Sequence, residues 1–315
     1  MTAMDQSQAT VHSLMRSHLL TAKTKTRLAT WNDRTLFQTG KLAQLANEFD
    51  RCRLDILCVS EARLAGSEKV TIDSKTFVYS GHATDHVRGV AIMLSRQAAS
   101  SLLGWCPVSD RIVSARLQGL HAKLTFIQAY APTEDTADAD KVSFYDDLTT
   151  ELRRTPRHDL VILAGDFNAQ IGPERQTFEH VIGPHGSAAA TKDNGMRLMT
   201  FCATHGMAIG NTYFAHKKIH KATWKAPGAQ DVRNEIDYIC ISKRWRSSLL
   251  DVHSYRAADV GTDHFLLGAA CRIRLKRQFA LAPRLKPFDV ARLQDPAIAN
   301  STTLQSRSFR PAYPI

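Results

Sequence analysis

Six short polar motifs punctuate this 315-residue chain. In order they are Thr-Trp-Asn ending at Asn32, Val-Ser-Glu-Ala around Glu61, Tyr-Ala-Pro beginning at Tyr130, Gly-Asp-Phe-Asn-Ala holding Asp166 and Asn168, Glu-Ile-Asp-Tyr-Ile around Asp237, and Gly-Thr-Asp-His closing on Asp263 and His264. These residue types suit hydrolysis of a phosphodiester. A divalent cation needs hard oxygen ligands, which Glu61, Asp263 and Asn32 offer. Such an ion neutralises charge building on phosphate oxygens and on the leaving oxygen. His264 can take or give a proton near neutral pH, and Asp237 can hold its ring in one tautomer. Asp166 and Asn168 lie two apart, so on extended backbone they face the same way and can orient an attacking water. Tyr130 can donate a hydrogen bond to phosphate. Each residue also has a plainer reading alone. Asn32 can cap a turn, Glu61 can be a surface charge, Gly-Asp-Phe-Asn can be an Asx turn, and Asp-His recurs by chance. The information lies in the ordered set.

Positioning such a set requires buried strands that end where the polar residues begin. Short apolar, β-branched runs predict strands at 27–31, 56–60, 90–94, 123–131, 160–164 and 236–242. Leu42, Leu45, Ala46 and Phe49 mark one amphipathic helix, and Val142, Tyr145, Leu148 and Leu152 a second. Leu198, Phe201, Cys202 and His205 mark a third, with Asp193 as its N-cap and Gly206 as its C-cap. Short connections between neighbouring strands and the lack of a steady βαβ rhythm allow antiparallel pairing in a mixed α/β fold. Phe-Tyr-Asp-Asp at 144–147 matches a polymerase signature, but it falls inside a helical pattern in a chain too short for a polymerase.

The net charge is +11, from 41 Lys+Arg against 30 Asp+Glu. It is uneven: residues 1–27 carry +3, residues 272–315 carry +7, and 28–271 only +1. Three segments follow. Residues 1–26 form a Ser/Thr-rich, acid-poor leader, read as disordered, with a faint likeness to a mitochondrial presequence. Residues 27–275 form the domain. Residues 276–315 form a basic connector, punctuated by Pro283, Pro287, Pro296 and Pro311 and too poor in apolar residues for its own core. The basic ends suit a polyanion such as nucleic acid, or serve as solvated tails. The composition excludes collagen and low-complexity scaffolds. No apolar run approaches the ~18 residues of a membrane span, and no secretory h-region begins the chain. The six cysteines make no CxxC pair and no Cys/His grouping, so they predict no zinc site. They read as reduced core residues of an intracellular protein.

Taken in order, the six motifs resemble the endonuclease/exonuclease/phosphatase superfamily, which includes pancreatic-type DNases, apurinic endonucleases and LINE-type retrotransposon endonucleases. The resemblance covers about residues 27–275. It implies a four-layer α/β sandwich of two facing mixed β-sheets flanked by helices, and a phosphodiesterase dependent on Mg²⁺, with Mn²⁺ as a substitute. Carried over by position, Asn32 and Glu61 support the metal and Asp263 lies beside it. Tyr130 contacts phosphate, Asp166 and Asn168 handle the nucleophile, and Asp237 orients His264. Closer strings narrow the likeness: Trp-Asn-Asp-Arg-Thr-Leu (31–36), Gly-His-Ala-x-x-His-Val-Arg-Gly-Val-Ala (81–91), Asn-Gly-x-Arg-Leu (194–198), Asn-Thr-x-Phe (211–214), Lys-Ala-Thr-Trp-Lys-Ala-Pro (221–227) and Arg-Trp-Arg-Ser-Ser (244–248). They are similar to the endonuclease of RTE-type non-LTR retrotransposons and to the craniofacial development protein 2-like genes related to them.

That likeness implies a DNA-nicking endonuclease with DNA as partner, no membrane and no small-molecule cofactor, working in the nucleus; the oligomeric state stays open. It places Thr223 and Trp224 near DNA. Arg88, Lys221 and Arg256 read either as phosphate contacts or as exposed solubilising charge. The strings at 288–296 and 304–309 look like a connector from endonuclease to reverse transcriptase. One departure stands out: apurinic endonucleases carry an acidic residue two positions after the motif Asn, and here that residue is Arg34. A less acidic metal site disfavours abasic-site repair. Two alternatives remain: a phosphatase or RNA phosphodiesterase of the same superfamily, and a domesticated or truncated copy that binds nucleic acid without cutting it.

Overall fold

The computed structural model describes residues 19–228 and 231–274. Its strands and helices follow in chain order as β1 (Thr26–Asn32), α1 (Lys41–Arg51), β2 (Ile56–Ser60), β3 (Ser67–Ile72), β4 (Lys75–Ser80), β5 (Val90–Leu94), α2 (Arg96–Ala99), β6 (Leu102–Ser109) and β7 (Ile112–Gln118). Next come β8 (Lys123–Tyr130), α3 (Asp138–Arg154), β9 (Leu160–Asp166), α4 (Asp193–Thr204) and β10 (Met207–Ile209). The last described elements are β11 (Trp224–Lys225), β12 (Arg233–Asn234), β13 (Asp237–Ser242), β14 (Leu249–Tyr255) and β15 (Leu266–Cys271).

Strands buried on both faces dictate the layering. In β2 all five residues are buried, Ile56 and Cys58 on one face, Leu57 and Val59 on the other. Such a strand needs a packing partner above and below. The structure supplies them with two sheets, one seven-stranded in the order β14-β15-β1-β2-β5-β4-β3 and one six-stranded in the order β10-β13-β9-β8-β7-β6. Their inner faces share one core, where Leu28, Ile56, Ile92 and Val78 meet Phe126, Ile162 and Ile239. A second core lies between the six-stranded sheet and α3 and α4, with Phe144, Leu148, Leu198 and Phe201. A third joins α1 to the seven-stranded sheet through Leu45, Phe49, Trp31 and Leu57. Three cores separate four layers, the expected α/β sandwich. Parallel pairing is confined to β1 with β2 and β8 with β9 among the named strands.

Polar pegs interrupt the inter-sheet core. Gln128 donates to Ser60 Oγ at 2.8 Å, Thr30 Oγ1 reaches Gln128 Oε1 at 3.5 Å, and Asp166 N reaches Ser60 Oγ at 3.3 Å. Each crosses from one sheet to the other. Buried polar groups must be paired, so these contacts fix how the sheets lie on each other.

Several expectations need correction. The domain begins before residue 27: Leu19 and Leu20 are buried in the inter-sheet core, and Leu20 N donates to Thr26 Oγ1 at 3.1 Å. Two adjacent leucines have more apolar surface to hide than a solvated leader can leave in water. The rest of the leader and the connector 276–315 lie outside the described residues. In α3 the buried face is Lys141, Phe144, Leu148 and Glu151, while Val142 is half exposed. Lys141 is drawn in because its Nζ donates to Asp193 at 3.0 Å, and Glu151 because it accepts from Ser114 Oγ at 2.6 Å. Asp193 does not cap α4; it is the first helical residue and its carboxylate is held by Lys141 and Arg197. Gly206, just past that helix, does take the left-handed φ of +62°. Among the described residues no helix is long and apolar enough to cross a membrane.

Candidate active site

Strand register gathers the motifs. In the parallel β8/β9 pair Tyr130 stands opposite Asp166, and in the antiparallel β9/β13 pair Asp237 stands opposite the same Asp166. On the other sheet Asn32 stands opposite Ser60, one residue before Glu61. His264 precedes β15, which pairs with β1. The C-terminal ends of β1, β2, β8 and β9 therefore meet the N-terminal ends of β13 and β15 at one mouth of the sandwich.

Gly165 makes this convergence possible. Its φ is +150°, and a Cβ there would lie 1.8 Å from the carbonyl oxygen of Ala129 on β8. Only glycine lets the two strands approach so closely where Tyr130 and Asp166 begin the site. Arg34, Glu61, Arg63 and Asn168 are all left-handed, with φ of 59°, 52°, 50° and 46°. Unfavourable backbone at non-glycine residues clusters where the surroundings must hold a side chain in place.

Asn32 ties the sheets together chemically. Its Nδ2 donates to Glu61 Oε1 at 2.9 Å and to Asp166 Oδ2 at 3.0 Å, while its Oδ1 accepts from Arg34 N at 3.0 Å. Glu61 also accepts from Tyr130 OH at 3.1 Å and from Arg63 at 2.7 Å. Burial works against its charge, but these donors outweigh it and hold the carboxyl below its usual range. The Tyr130 phenol is pushed far up by burial and by the Glu61 and Asp166 charges, so it stays a donor.

Asp237 Oδ2 holds His264 Nδ1 at 3.0 Å, and His264 Nε2 faces Asp166 Oδ2 across 3.9 Å. Burial opposes the imidazolium, yet the Asp237 charge and hydrogen bond, with Asp166 and Asp263 behind them, raise His264. Asp166 is raised too, by burial and by Asp237. One oxygen atom fits within hydrogen-bond reach of both His264 Nε2 and Asp166. Such a gap, with an imidazole on one side and a carboxyl on the other, can hold an oxygen that exchanges a proton with either. Trp31 Nε1 donates to the His264 carbonyl at 3.0 Å and so fixes its backbone. The cleft outside is about 550 Å³, lined among others by Arg34, Glu61, Asp166, Asn168, Asp263 and His264.

The eight proposed catalytic and metal residues thus converge: Asn32, Glu61, Tyr130, Asp166, Asn168, Asp237, Asp263 and His264. One geometric premise fails. Asn168 is not on extended backbone with Asp166; the chain turns, with Asn168 N donating to Asp166 Oδ1 at 2.9 Å. The Asx turn and the site are one structure, and Asn168 Nδ2 is spent on the Ala131 carbonyl at 3.0 Å. Two expected DNA contacts are also corrected. Thr223 is fully buried, and its Oγ1 accepts from Ile236 N at 3.0 Å and Asp237 N at 3.1 Å. Lys221 is 8% exposed and its Nζ donates to the Asn211 carbonyl at 2.9 Å beside the buried Glu235. Both anchor the segment instead. That segment in turn braces the site: Lys225 N donates to the Asp263 carbonyl and Phe265 N to the Thr223 carbonyl. Trp224 lines the cleft and donates to Asp263 Oδ2 at 3.2 Å. Arg256 Cζ stands over the Phe265 ring, 3.5 Å from its centroid. Arg88 is exposed, pairs with Asp110 at 3.3 Å and lies outside the lining of this cleft.

Sequence reasoning passed over Arg63, although it stands two residues after Glu61 as Arg34 stands two after Asn32. It also passed over Arg111, which donates to the Tyr130 carbonyl at 3.0 Å, and Asn194, which ties the Pro132 and Asn168 carbonyls at 3.1 Å each. Asn194 lay within the quoted Asn-Gly-x-Arg-Leu string, which was the available signal.

A model of the "Endonuclease/Exonuclease/phosphatase family" matches residues 29–264. Craniofacial development protein 2 of Bos taurus is 33% identical over 279 residues, covering 89% of this chain and 46% of that protein. Its namesake in Tragulus javanicus is 34% identical over 260 residues, covering 82% and 44%. The chain therefore spans under half the length of these curated relatives. Among solved structures, the endonuclease domain of TRAS1, a telomere-specific non-LTR retrotransposon, gives a TM-score of 0.57 at 14% identity, covering 80% of this chain and all of that one. The 3′ phosphatase NExo from Neisseria, solved with a product DNA hairpin, gives 0.59 at 20% identity, covering 79% and 100%. An AP endonuclease from Archaeoglobus fulgidus gives 0.60 at 15%, covering 79% and 100%. These structural likenesses share the fold.

Proposed function

Because the chain belongs to the endonuclease/exonuclease/phosphatase family, we propose that it is a divalent-metal-dependent phosphodiester hydrolase, a DNA-nicking endonuclease of retrotransposon origin. The observation that carries this reading is the proton-handling pair at the cleft: His264 gripped by Asp237, with its Nε2 turned to Asp166. The RTE-like strings support the retrotransposon origin, and a DNA substrate implies work in the nucleus.

The donor set fits Mg²⁺ or Mn²⁺. Glu61 is held ionised at the cleft, Asp263 is a second oxygen donor there, and Asp166 stays raised by burial and by Asp237 although His264, the Asn168 N–H and the Asn32 amide favour its charge. Glu61 and Asp263 would hold the ion; Asn32, whose amide hydrogens are committed to two carboxylates, positions Glu61. When bound, the cation neutralises charge growing on the phosphate and leaving oxygens. The remaining work falls to the protein. Asp166 and His264 bracket the oxygens that lose and gain a proton. Asp237 keeps His264 in the tautomer that presents Nε2. Tyr130, kept protonated, donates to a phosphate oxygen. Arg34 and Arg63 add positive charge at the mouth. Phosphoryl transfer needs this positioning and electrostatic stabilisation more than it needs covalent chemistry.

The test is conversion of supercoiled plasmid to open circle with Mg²⁺, with Mn²⁺ and with EDTA, comparing wild type with His264→Ala. Metal-dependent nicking that disappears in the variant is expected. DNA binding without a nick in either metal overturns the hydrolase reading and leaves a nucleic-acid-binding protein. Faster cleavage of RNA or of a 3′-phosphate than of plasmid overturns the substrate.

A further inference from the structure

Away from this cleft, a second cluster of chemically able side chains sits on edge strand β14. Asp251 and His253 lie two apart on that strand and share a face. His216 comes from the loop before the 3₁₀ turn Lys218–His220. The Asp251 carboxylate is divided between two rings: Oδ1 meets His216 Nε2 at 2.7 Å and Oδ2 meets His253 Nδ1 at 3.0 Å. One ligand atom from each of the three lies within 4.8 Å of the others. His253 is pinned by stacking on Tyr255, with centroids 4.6 Å apart and planes at 23°. A fourth ring, His220, stands edge-on to His253 at 6.4 Å, and its Nδ1 is buried without a hydrogen-bond partner. All three of the cluster's side chains remain 23–39% exposed, so an ion can enter.

We propose that His216, Asp251 and His253 form a site for a divalent transition-metal ion of the Zn²⁺ type. Two imidazole nitrogens and one carboxylate oxygen suit Zn²⁺, Co²⁺ or Ni²⁺ and do not suit Mg²⁺, which takes oxygen ligands. Bonds of roughly 2.0–2.2 Å from a tetrahedral ion put its ligand atoms about 3.3–3.5 Å apart. The present spacings need only side-chain adjustments to reach that. The ion bonds the ring nitrogens that now face Asp251, and each neutral ring then carries its proton on its other nitrogen. A fourth position remains for water, with His220 as the neighbouring donor. The sequence carries the matching spacings, His-x₃-His at 216–220 and Asp-x-His at 251–253, but they lie 35 residues apart along the chain and involve no cysteine. The bound ion fastens the turn that leads into Lys221 and Thr223 onto β14. It thereby stiffens the brace behind Asp237 and His264 without touching either.

The experiment uses the full chain, stripped with chelator, with its accessible thiols alkylated under native conditions and Mg²⁺ in millimolar excess to fill hard-oxygen sites. Co²⁺ titration is followed by its visible d–d absorption, and Zn²⁺ by competition and by thermal denaturation. Wild type and His264→Ala should each bind one equivalent. Zn²⁺ at about 100 times its Kd should raise the thermal midpoint by roughly 5–10 °C. His253→Gln and His216→Gln should each weaken binding at least tenfold and lose the thermal shift, while keeping the wild-type circular dichroism. Failure of the wild type to bind overturns the proposal. So does binding that survives in both Gln variants, or binding that His264→Ala abolishes.

Discussion

Replacing Gly165 with Ala tests whether the site depends on the close approach of β8 and β9. The added Cβ would lie 1.8 Å from the Ala129 carbonyl oxygen and 2.8 Å from its carbon, where real Cβ contacts stop near 3.0 Å. The strands must therefore part by at least 1.2 Å, or the backbone must abandon φ +150°. Overpacking costs about 1–3 kcal/mol, and forcing Ala into a glycine-only conformation about 1–3 kcal/mol more. A combined loss of about 2–6 kcal/mol in a domain this size lowers the midpoint by roughly 4–24 °C. Gly206→Ala is the matched control. It also has positive φ, +62°, but no atom lies within 4 Å of its Cβ position. It should cost only the left-handed penalty of roughly 1–2 kcal/mol. Differential scanning calorimetry measures both. At a temperature where both variants stay folded, Gly165→Ala should also nick about 100-fold more slowly, because a misplacement of ~1 Å at reacting groups costs that much. Gly206→Ala should nick normally. Equal midpoint losses in the two variants would refute the argument, since the steric contact would then count for nothing.

Three further outcomes are expected. Asp237→Asn should lower the nicking rate by about 10²–10⁴-fold with little change in DNA affinity, because the amide cannot hold the His264 tautomer; single-turnover kinetics beside a binding isotherm checks it. Thr223→Val leaves the N–H groups of Ile236 and Asp237 without their acceptor, so stability should fall by about 2–4 kcal/mol while DNA affinity holds; a selective affinity loss would restore the DNA-contact reading. Asp33 is buried with neither carboxylate oxygen paired, and burial, opposed by Lys41, pushes it up to about 7. The folded state then keeps a proton that the unfolded chain releases near pH 4, so stability falls as pH rises from about 4 to 7. Asp33→Asn removes that loss and should be more stable above pH 7, by at most about 4 kcal/mol, with the gain fading toward pH 4; urea titrations at pH 5 and 8 showing a constant difference would contradict this.

How much was readable follows from burial. Residues 56–60 and 90–94 match β2 and β5 to the residue because both faces are buried and every position is apolar or small. The site motifs were legible because they terminate such strands. Strands with a broken apolar run were not: β3 is mostly exposed, β6 carries Gly104 and Pro107 with register shifts, β14 mixes in Asp251 and His253, and the largely buried β4, β7 and β15 carry Lys75 and Thr76, Ser114 and Arg116, and Gly268 without β-branched residues. Nor does a sequence say where a polar side chain is spent. Thr223 and Lys221 look available in a basic, Trp-containing string, yet their polar atoms serve the backbone inside. Leu19 and Leu20 were legible as apolar but lay in a segment judged by its Ser/Thr content.

The return of the chain to its first sheet has a consequence for biosynthesis. β1 pairs with β15, joining Thr26 to Cys271, so His264 reaches its place only when the last strand docks on the first. A nascent chain contains Asn32, Glu61, Tyr130 and Asp166 long before it contains His264. On the nuclease reading proposed above, a ribosome carries a disarmed enzyme until the domain is almost wholly made. Fragments that stop short of residue 264 inherit the cleft without the means to cut. If the substrate is DNA, as proposed, that order of assembly acts as a safety catch built from topology alone.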